Sequence, residues 1–343
     1  MHIPNRTPQP LSRSHLALAS ALALAAGALP LFAAPPPPME IAVRMVRAEG
    51  EVALEGEQET IYFRLGSAEK QTVRERVCLK PWHRKRIEVL DPESRRGHLT
   101  VCDGRTRTTY LPKRNVLFQT PLPVRSRTEA VKVLRVRLLK ANFKATSKGI
   151  QQIAGRKAYA IELRSKRFEG GVHRFWVDAA TYARLKEERL GADGRSLGSS
   201  QFVRVTFRKP LDDSLFDFPR PADAQCRGAE TNELPPLSLK ELDRKAPFSV
   251  AAPPMLPGGF VFESARLQEH GDRKVVWLRY IDGLNFLSLF ETPVDGEKEP
   301  QGPGGARFFR RDALMWNSDG INFVLVGSVP QLQREAIRAE LTK

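Results

Sequence analysis

The chain has 343 residues, 41% of them hydrophobic and 27% charged, which places it among soluble globular proteins of one large domain or two ordinary ones. A chain of that length buries a core without metals or a dense disulfide framework. The formal net charge is +16, and 22 Lys and Arg against 7 Asp and Glu between Arg64 and Lys148 carry nearly all of it.

The N-terminus has the layout of a secretory signal, assigned to residues 1–34. Arg6 and Arg13 precede an apolar run from His15 to Phe32, and small residues offer cleavage after Ala28 or near Ala33 or Ala34. No cysteine follows the run to take a lipid, and no later stretch is long and apolar enough to cross a bilayer. Export changes the meaning of the basic segment. Outside the cytoplasm it meets no nucleic acid, and its anions are phospholipid headgroups, lipid A phosphates or an acidic protein segment, or else it is a solvated basic face. Contact with the membrane is then peripheral at most.

In the mature chain, Met39–Ala48 fits a first helix, with Ile41, Met45 and Ala48 on one side. Cys78 and Cys102 lie in neighbouring strand-like runs and either pair across them or stay free, while Cys226 is left over. Arg127–Phe143 reads as a helix capped by Thr128, with a strand as the alternative. Ala158–Leu163, His173–Val177 and Val203–Phe207 alternate with period two, as half-buried antiparallel strands do. Five Asp-Gly pairs, at 103, 193, 282, 295 and 319, suit the tight turns of hairpins. Eight prolines between Pro219 and Pro257 disfavour regular structure and mark a linker. Pro330–Leu341 reads as a closing helix.

Catalytic chemistry finds little support. No His-x-His, His-x-x-x-His or Cys-x-x-Cys spacing occurs, so no metal site is expected, and no dinucleotide or phosphate-binding loop is present, so no cofactor is expected. Gly194-Arg195-Ser196-Leu197-Gly198 has the form of a nucleophile elbow, but it opens on an Asp-Gly turn between β-like runs and reads as a hairpin tip. No catalytic residue is assigned, and the chain is expected to bind rather than catalyse.

The later strands carry a resemblance. Gly155-Arg156-Lys157-Ala158-Tyr159, then Arg174-Phe175-Trp176-Val177-Asp178, then Leu185-Lys186, resemble the N-terminal domain of the MucB/RseB family and the LolA-type lipoprotein carriers. Leu256-Pro257-Gly258-Gly259-Phe260 is similar to the family's Leu-Pro-Pro-Gly-Phe, with Gly258 for the second proline. Tyr280-Ile281-Asp282-Gly283 and the strand ending Phe290-Glu291 resemble its second domain, as do Val324–Pro330 and the last helix. The likeness spans residues 155–343, and residues 39–150 share only the general layout.

The resemblance implies an α+β fold, mostly antiparallel β. A LolA-like curved half-barrel with a few helices would occupy residues 39–220, a proline-rich linker 221–254, and a smaller α/β domain 255–343. It implies a periplasmic negative regulator of an envelope-stress sigma factor, which binds the periplasmic segment of an anti-sigma factor or another envelope protein and senses lipid or lipoprotein acyl chains. The alternative is a periplasmic lipid or lipoprotein carrier of the LolA kind. Phe63, Trp82, Phe118, Phe175 and Trp176 are candidates to line a ligand groove. Arg84, Lys85, Arg86, Arg105, Arg107, Lys113 and Arg114 are candidates for its basic rim. The excess of base and the cysteine pair depart from the family and suit an anionic lipid or an acidic peptide.

Overall fold

The computed structural model describes residues 34–63, 70–81, 83–121, 125–207, 211–227, 236–270, 273–294, 313–327 and 329–342. The segment assigned as a secretory signal, Thr128 as a side-chain cap, Trp82 and the Asp295-Gly296 turn lie outside what is described.

Helix α1 (Pro38–Ala48) starts with proline in its first turn, where the missing N–H costs nothing, and it buries Ile41, Ala42, Val43, Met45 and Val46. Six strands follow: β1 (Leu54–Phe63), β2 (Lys70–Lys80), β3 (Arg84–Asp91), β4 (Leu99–Cys102), β5 (Thr106–Leu111) and β6 (Val116–Pro121). Helix α2 (Arg125–Asn142) comes next, settling the helix-or-strand alternative for that segment. Strands β7 (Phe143–Ile153), β8 (Arg156–Ser165), β9 (Val172–Asp178), β10 (Arg184–Leu190) and β11 (Ser196–Thr206) then run as a meander. With β12 (Gln225–Arg227) they form one sheet in the order β12-β6-β5-β4-β3-β2-β1-β11-β10-β9-β8-β7. Its pairings are antiparallel except for the short β12 with β6. Long curled sheets of this kind have a concave face to fill. Here α1 and α2 fill part of it, packing on Phe143, Ile161, Leu163, Phe175 and Val177.

The remaining strands form a second sheet. They are β13 (Met255–Leu256), β14 (Phe260–His270), β15 (Arg273–Ile281), β16 (Phe286–Pro293), β17 (Ala313–Ser318) and β18 (Ile321–Gly327), ordered β13-β14-β15-β16-β18-β17. The proline-dense stretch is less bare than its composition suggests. Prolines bracket a proline-free run in which Ser238 and Glu241 form a capping box and start helix α3 (Leu239–Lys245). Leu242 of α3, Phe260, Leu278, Tyr280, Leu289, Leu325 and Ile337 of the last helix, α4 (Gln331–Leu341), share one core. Phe248, Val250, Ala251 and Ala252 pack against it from the proline-rich chain.

The end of α2 joins the two sheets. Asn142 is buried, and its side-chain NH2 donates to the carbonyls of Gly259 at 3.0 Å and Asp282 at 2.9 Å. Gly283 touches the α2 backbone so closely that a Cβ there would lie 2.3 Å from Leu139 N. Gly258 has φ +88°, a value proline cannot reach, so the second proline of the Leu-Pro-Pro-Gly-Phe pattern that residues 256–260 resemble would not fit there. Of the Asp-Gly pairs, those at 103, 193, 282 and 319 each sit between consecutive antiparallel strands.

Candidate functional site: two clefts that meet

The first cleft, of about 480 Å³, lies on the concave face. Successive residues of a strand leave on opposite faces, so the register fixes its walls. Leu54 with Leu79, Gly56 with Val77, and Val77 with Ile87 are partners, and all face inward. Phe202, Phe175 and Leu185 continue the apolar lining, with Met45 and Val46 of α1 as its roof. Gly56 leaves room there, since a Cβ would fall 2.3 Å from Arg204 O and 3.0 Å from the Phe202 ring.

Charged groups stand among the apolar ones. Burial pushes the Glu75 carboxyl up and the Lys85 ammonium down from their usual values. Burial also raises Glu49, but Arg135 and Arg184 outweigh it and hold the carboxyl below its usual range. The Arg135 guanidinium donates to Glu49 at 2.7 Å and lies over the ring of Phe286, 5.3 Å from its centroid. Arg279 of the second sheet covers the same ring at 4.2 Å. Burial lowers Arg279, and Arg266, Arg135 and Arg107 add repulsion that Glu263 offsets in part.

The second cleft, of about 630 Å³, lies between the two sheets. Tyr62, Phe63, Val172, Leu190 and Leu197 line it from the first sheet, and Gly258, Asp282, Val329, Gln333 and Arg334 from the second.

The proposed groove and rim residues scatter over this frame. Phe63 lines the cleft between the sheets, and Phe175 is buried in the wall of the concave one. Trp176, one residue on, faces away. Its indole N–H donates to Gln151 at 2.7 Å, and the Lys186 ammonium sits 4.4 Å from the ring centroid. Phe118 is exposed on β6 and lines neither cleft. Arg84-Lys85-Arg86 splits in the same way. Arg84 pairs with Asp213 and Arg86 donates to Leu215 O, both on the convex face, whereas Lys85 points into the concave cleft. Arg107 shares the Lys85 face through the register Lys85–Cys102–Arg107. Arg105 lies in the β4–β5 turn, Lys113 donates to Glu93 O at 2.7 Å, and Arg114 is exposed.

The Cys78–Cys102 bridge is corrected. Both thiols are free and buried, with β3 between β2 and β4. Cys78 is the partner of Arg86 and Cys102 of Lys85, so the two thiols also sit on opposite faces. Two strand spacings of roughly 4.8 Å exceed the reach of a disulfide in any case. Ser196 opens β11 in an antiparallel hairpin, and at Gly198 (φ +150°) a Cβ would lie 3.0 Å from Ile61 O, so the Gly-x-Ser-x-Gly run is a hairpin. Among the described residues no group of three His, Cys, Asp or Glu is placed to hold a metal, and no helix is long and apolar enough to cross a membrane.

Sequence reasoning missed His173, Arg189 and Asn285, which line both clefts. The signal for His173 was available, because period two places it on the Phe175 face.

Comparison with known proteins agrees with this architecture. Residues 60–219 match the MucB/RseB N-terminal domain family. The crystal structure of MucB aligns with 89% of this chain and 98% of its own, at 19% identity and a TM-score of 0.52. MucB in complex with MucA(peri) aligns over 88% of this chain and 97% of its own, at 19% identity and TM-score 0.55. The Pseudomonas aeruginosa MucA/MucB complex aligns over 87% and 96%, at 20% identity and 0.54. Identities this low establish a shared fold spanning both sheets. No curated protein sequence matches the chain.

Proposed function

We propose, for a chain that carries a MucB/RseB N-terminal domain at residues 60–219, that it is an exported binding protein that holds the periplasmic segment of a membrane-anchored anti-sigma factor and so restrains an envelope-stress sigma factor. The observation that carries this reading is the likeness to MucB over both sheets, in a form bound to MucA(peri). A simple carrier would have no need of the second sheet. The cleft between the sheets, about 630 Å³ with apolar walls and a few polar groups, has the character of a peptide-binding groove. The protein acts by binding and not by catalysis, with a periplasmic location following from the signal assigned to residues 1–34. A lipid-bearing ligand in the concave cleft would bias the grip on the partner, since the two clefts share walls.

One observation favours the carrier alternative: the concave cleft has apolar walls behind charged groups, as an acyl-chain site would. Capture from solubilised envelope, with native mass spectrometry of the same sample, separates the two. Recovery of a single-pass membrane protein encoded with a sigma factor, and micromolar or tighter binding of its purified periplasmic segment, is the expected result. Stoichiometric acylated ligand with no such partner would replace the regulator by the carrier.

A further inference from the structure

The two clefts meet at His173, Arg189 and Asn285. His173 and Arg189 are register partners on β9 and β10, so both side chains leave the sheet on its concave face. The imidazole lies parallel to the Phe175 ring at a centroid distance of 6.1 Å, and its Nδ1 is buried with no hydrogen-bond partner. Buried polar atoms in folded proteins are nearly always satisfied. An orphan nitrogen where two clefts join marks a place that a ligand completes.

The charges around it give the sign of that ligand. From β10 come Arg184, Glu187 and Arg189, with Arg184 paired to Glu187 at 2.7 Å. From the helices come Arg135 and, just beyond α1, Glu49, which are paired with each other. Glu75 of β2 and Lys85 of β3, on adjacent strands, both line the concave cleft. From the second sheet and α4 come Asp282 and Arg334, and the Asp282 carboxylate is occupied by the N–H groups of Leu284 and Asn285. Glu187, Glu49 and Asp282 therefore have their partners already, and burial pushes Glu75 toward its neutral form. His173 itself faces Arg189 and Arg184, and burial with their repulsion brings it down to about 4, so it is neutral at physiological pH.

We propose that this junction is a carboxylate-binding site. The ligand carboxylate rides on an aliphatic stem, accepts a hydrogen bond from His173 Nδ1–H, and is countered by Arg189 and Arg184. Phe143, Val172, Leu190 and Val329 supply the apolar wall for the stem. The inference rests on reading the clefts as the partner site and names the chemical group received there. That group comes either from an acidic side chain of a bound segment or from the head of a fatty acid. A bound carboxylate favours the imidazolium, so binding takes up a proton and tightens as pH falls.

The test uses the purified protein with ¹³C-labelled histidine, the His173 Cε1–H signal being assigned by its loss in His173→Gln. Butyrate and its neutral isostere butyramide are titrated at about pH 5.5 and about pH 7.5. The expected result is a saturable His173 shift with butyrate alone, several-fold tighter per anion at the lower pH, and a raised apparent pKa for His173. Arg184→Gln, at a less buried position, should weaken butyrate by roughly fivefold or more while the spectrum stays folded. No saturable shift by about 50 mM butyrate, or an equal response to butyramide, overturns the proposal. Dodecanoate against the blocked peptide N-acetyl-Leu-Glu-amide then separates the sources, the tighter of the two naming the carrier of the carboxylate. Because butyrate needs no protein partner, failure to bind an anti-sigma segment would leave this result untouched.

Discussion

The two sheets bury acids in opposite ways. In the first, Asp178 is 1% exposed and accepts from Arg156 Nε at 2.5 Å and from Thr181 N at 2.8 Å, and Glu162 is 2% exposed between Arg164 and Arg174, each at 2.9 Å. Burial pushes both up, but the guanidinium partners outweigh it, and both carboxyls lie below their usual values. In the second, Glu291 is 0% exposed, accepts one bond from Ala251 N at 2.9 Å, and has no bond to Oε1. Burial pushes it up to about 8. Depth alone therefore does not decide the charge of a buried acid. A basic strand beside it does, and the first sheet has arginines to spare where the second has few.

The largest effect is expected where the sheets touch. Gly283→Val sets a Cβ 2.3 Å from Leu139 N at a φ of +107°, so it combines strain with a clash against backbone. A loss of about 3 kcal/mol or more is expected, read by denaturant melts. If the variant splits one transition into two, the contrast between the sheets becomes measurable sheet by sheet. An unchanged melt would show that α2 does not couple them.

Asp178→Ala comes next. It removes the partner of Arg156 and three hydrogen bonds to the Ala180–Thr181 turn, so a loss of about 3 kcal/mol is expected. The same pair sets an acid limb. An acid with a depressed folded pKa stabilises above its unfolded value, near 3.8, and loses that contribution as pH falls through the folded pKa. The wild type should weaken below about pH 4, and Asp178→Ala should flatten that limb.

Glu291 predicts the reverse slope. Its folded pKa near 8 exceeds the unfolded value of 4.5, so the folded state holds the extra proton between them. Stability should fall by up to about 1.4 kcal/mol per unit as pH rises from 4.5 to 8, and level off above. Glu291→Gln, which mimics the protonated acid, should match the wild type at low pH, exceed its stability at pH 7 by up to about 3 kcal/mol, and remove that slope. A slope that survives the substitution would mean that the carboxyl is not held neutral against the proline-rich chain.

Much of this frame was legible in the sequence, for reasons that can be named. Helix α1, strands β8 and β9 and the Asp-Gly hairpins follow from periodicity and turn chemistry, both local. The Cys78–Cys102 bridge failed because adjacency along the chain was taken for adjacency in the sheet. β3 begins Arg84-Lys85-Arg86 and reads as a charged rim, yet it is the strand that keeps the thiols apart. The role of Asn142, the hinge between the sheets, left no local trace, since its partners are the carbonyls of residues more than a hundred positions away.

The smallest effect sharpens the contrast within one strand. Arg84 and Lys85 are neighbours of equal charge, which composition treats alike. Arg84→Ala removes an exposed ion pair with Asp213, an acid that also keeps Lys80, and should cost about 0.5 kcal/mol or less. Lys85 instead lies in the concave cleft beside Glu75, with its ammonium made less basic by burial. Lys85→Met keeps the stem and drops the charge, so stability should change little while the cleft loses a cation. Binding of an anionic ligand at the junction should then weaken in Lys85→Met and not in Arg84→Ala. Equal effects would mean that the basic excess of the first sheet acts as a diffuse field; unequal ones would place its function on the concave face alone.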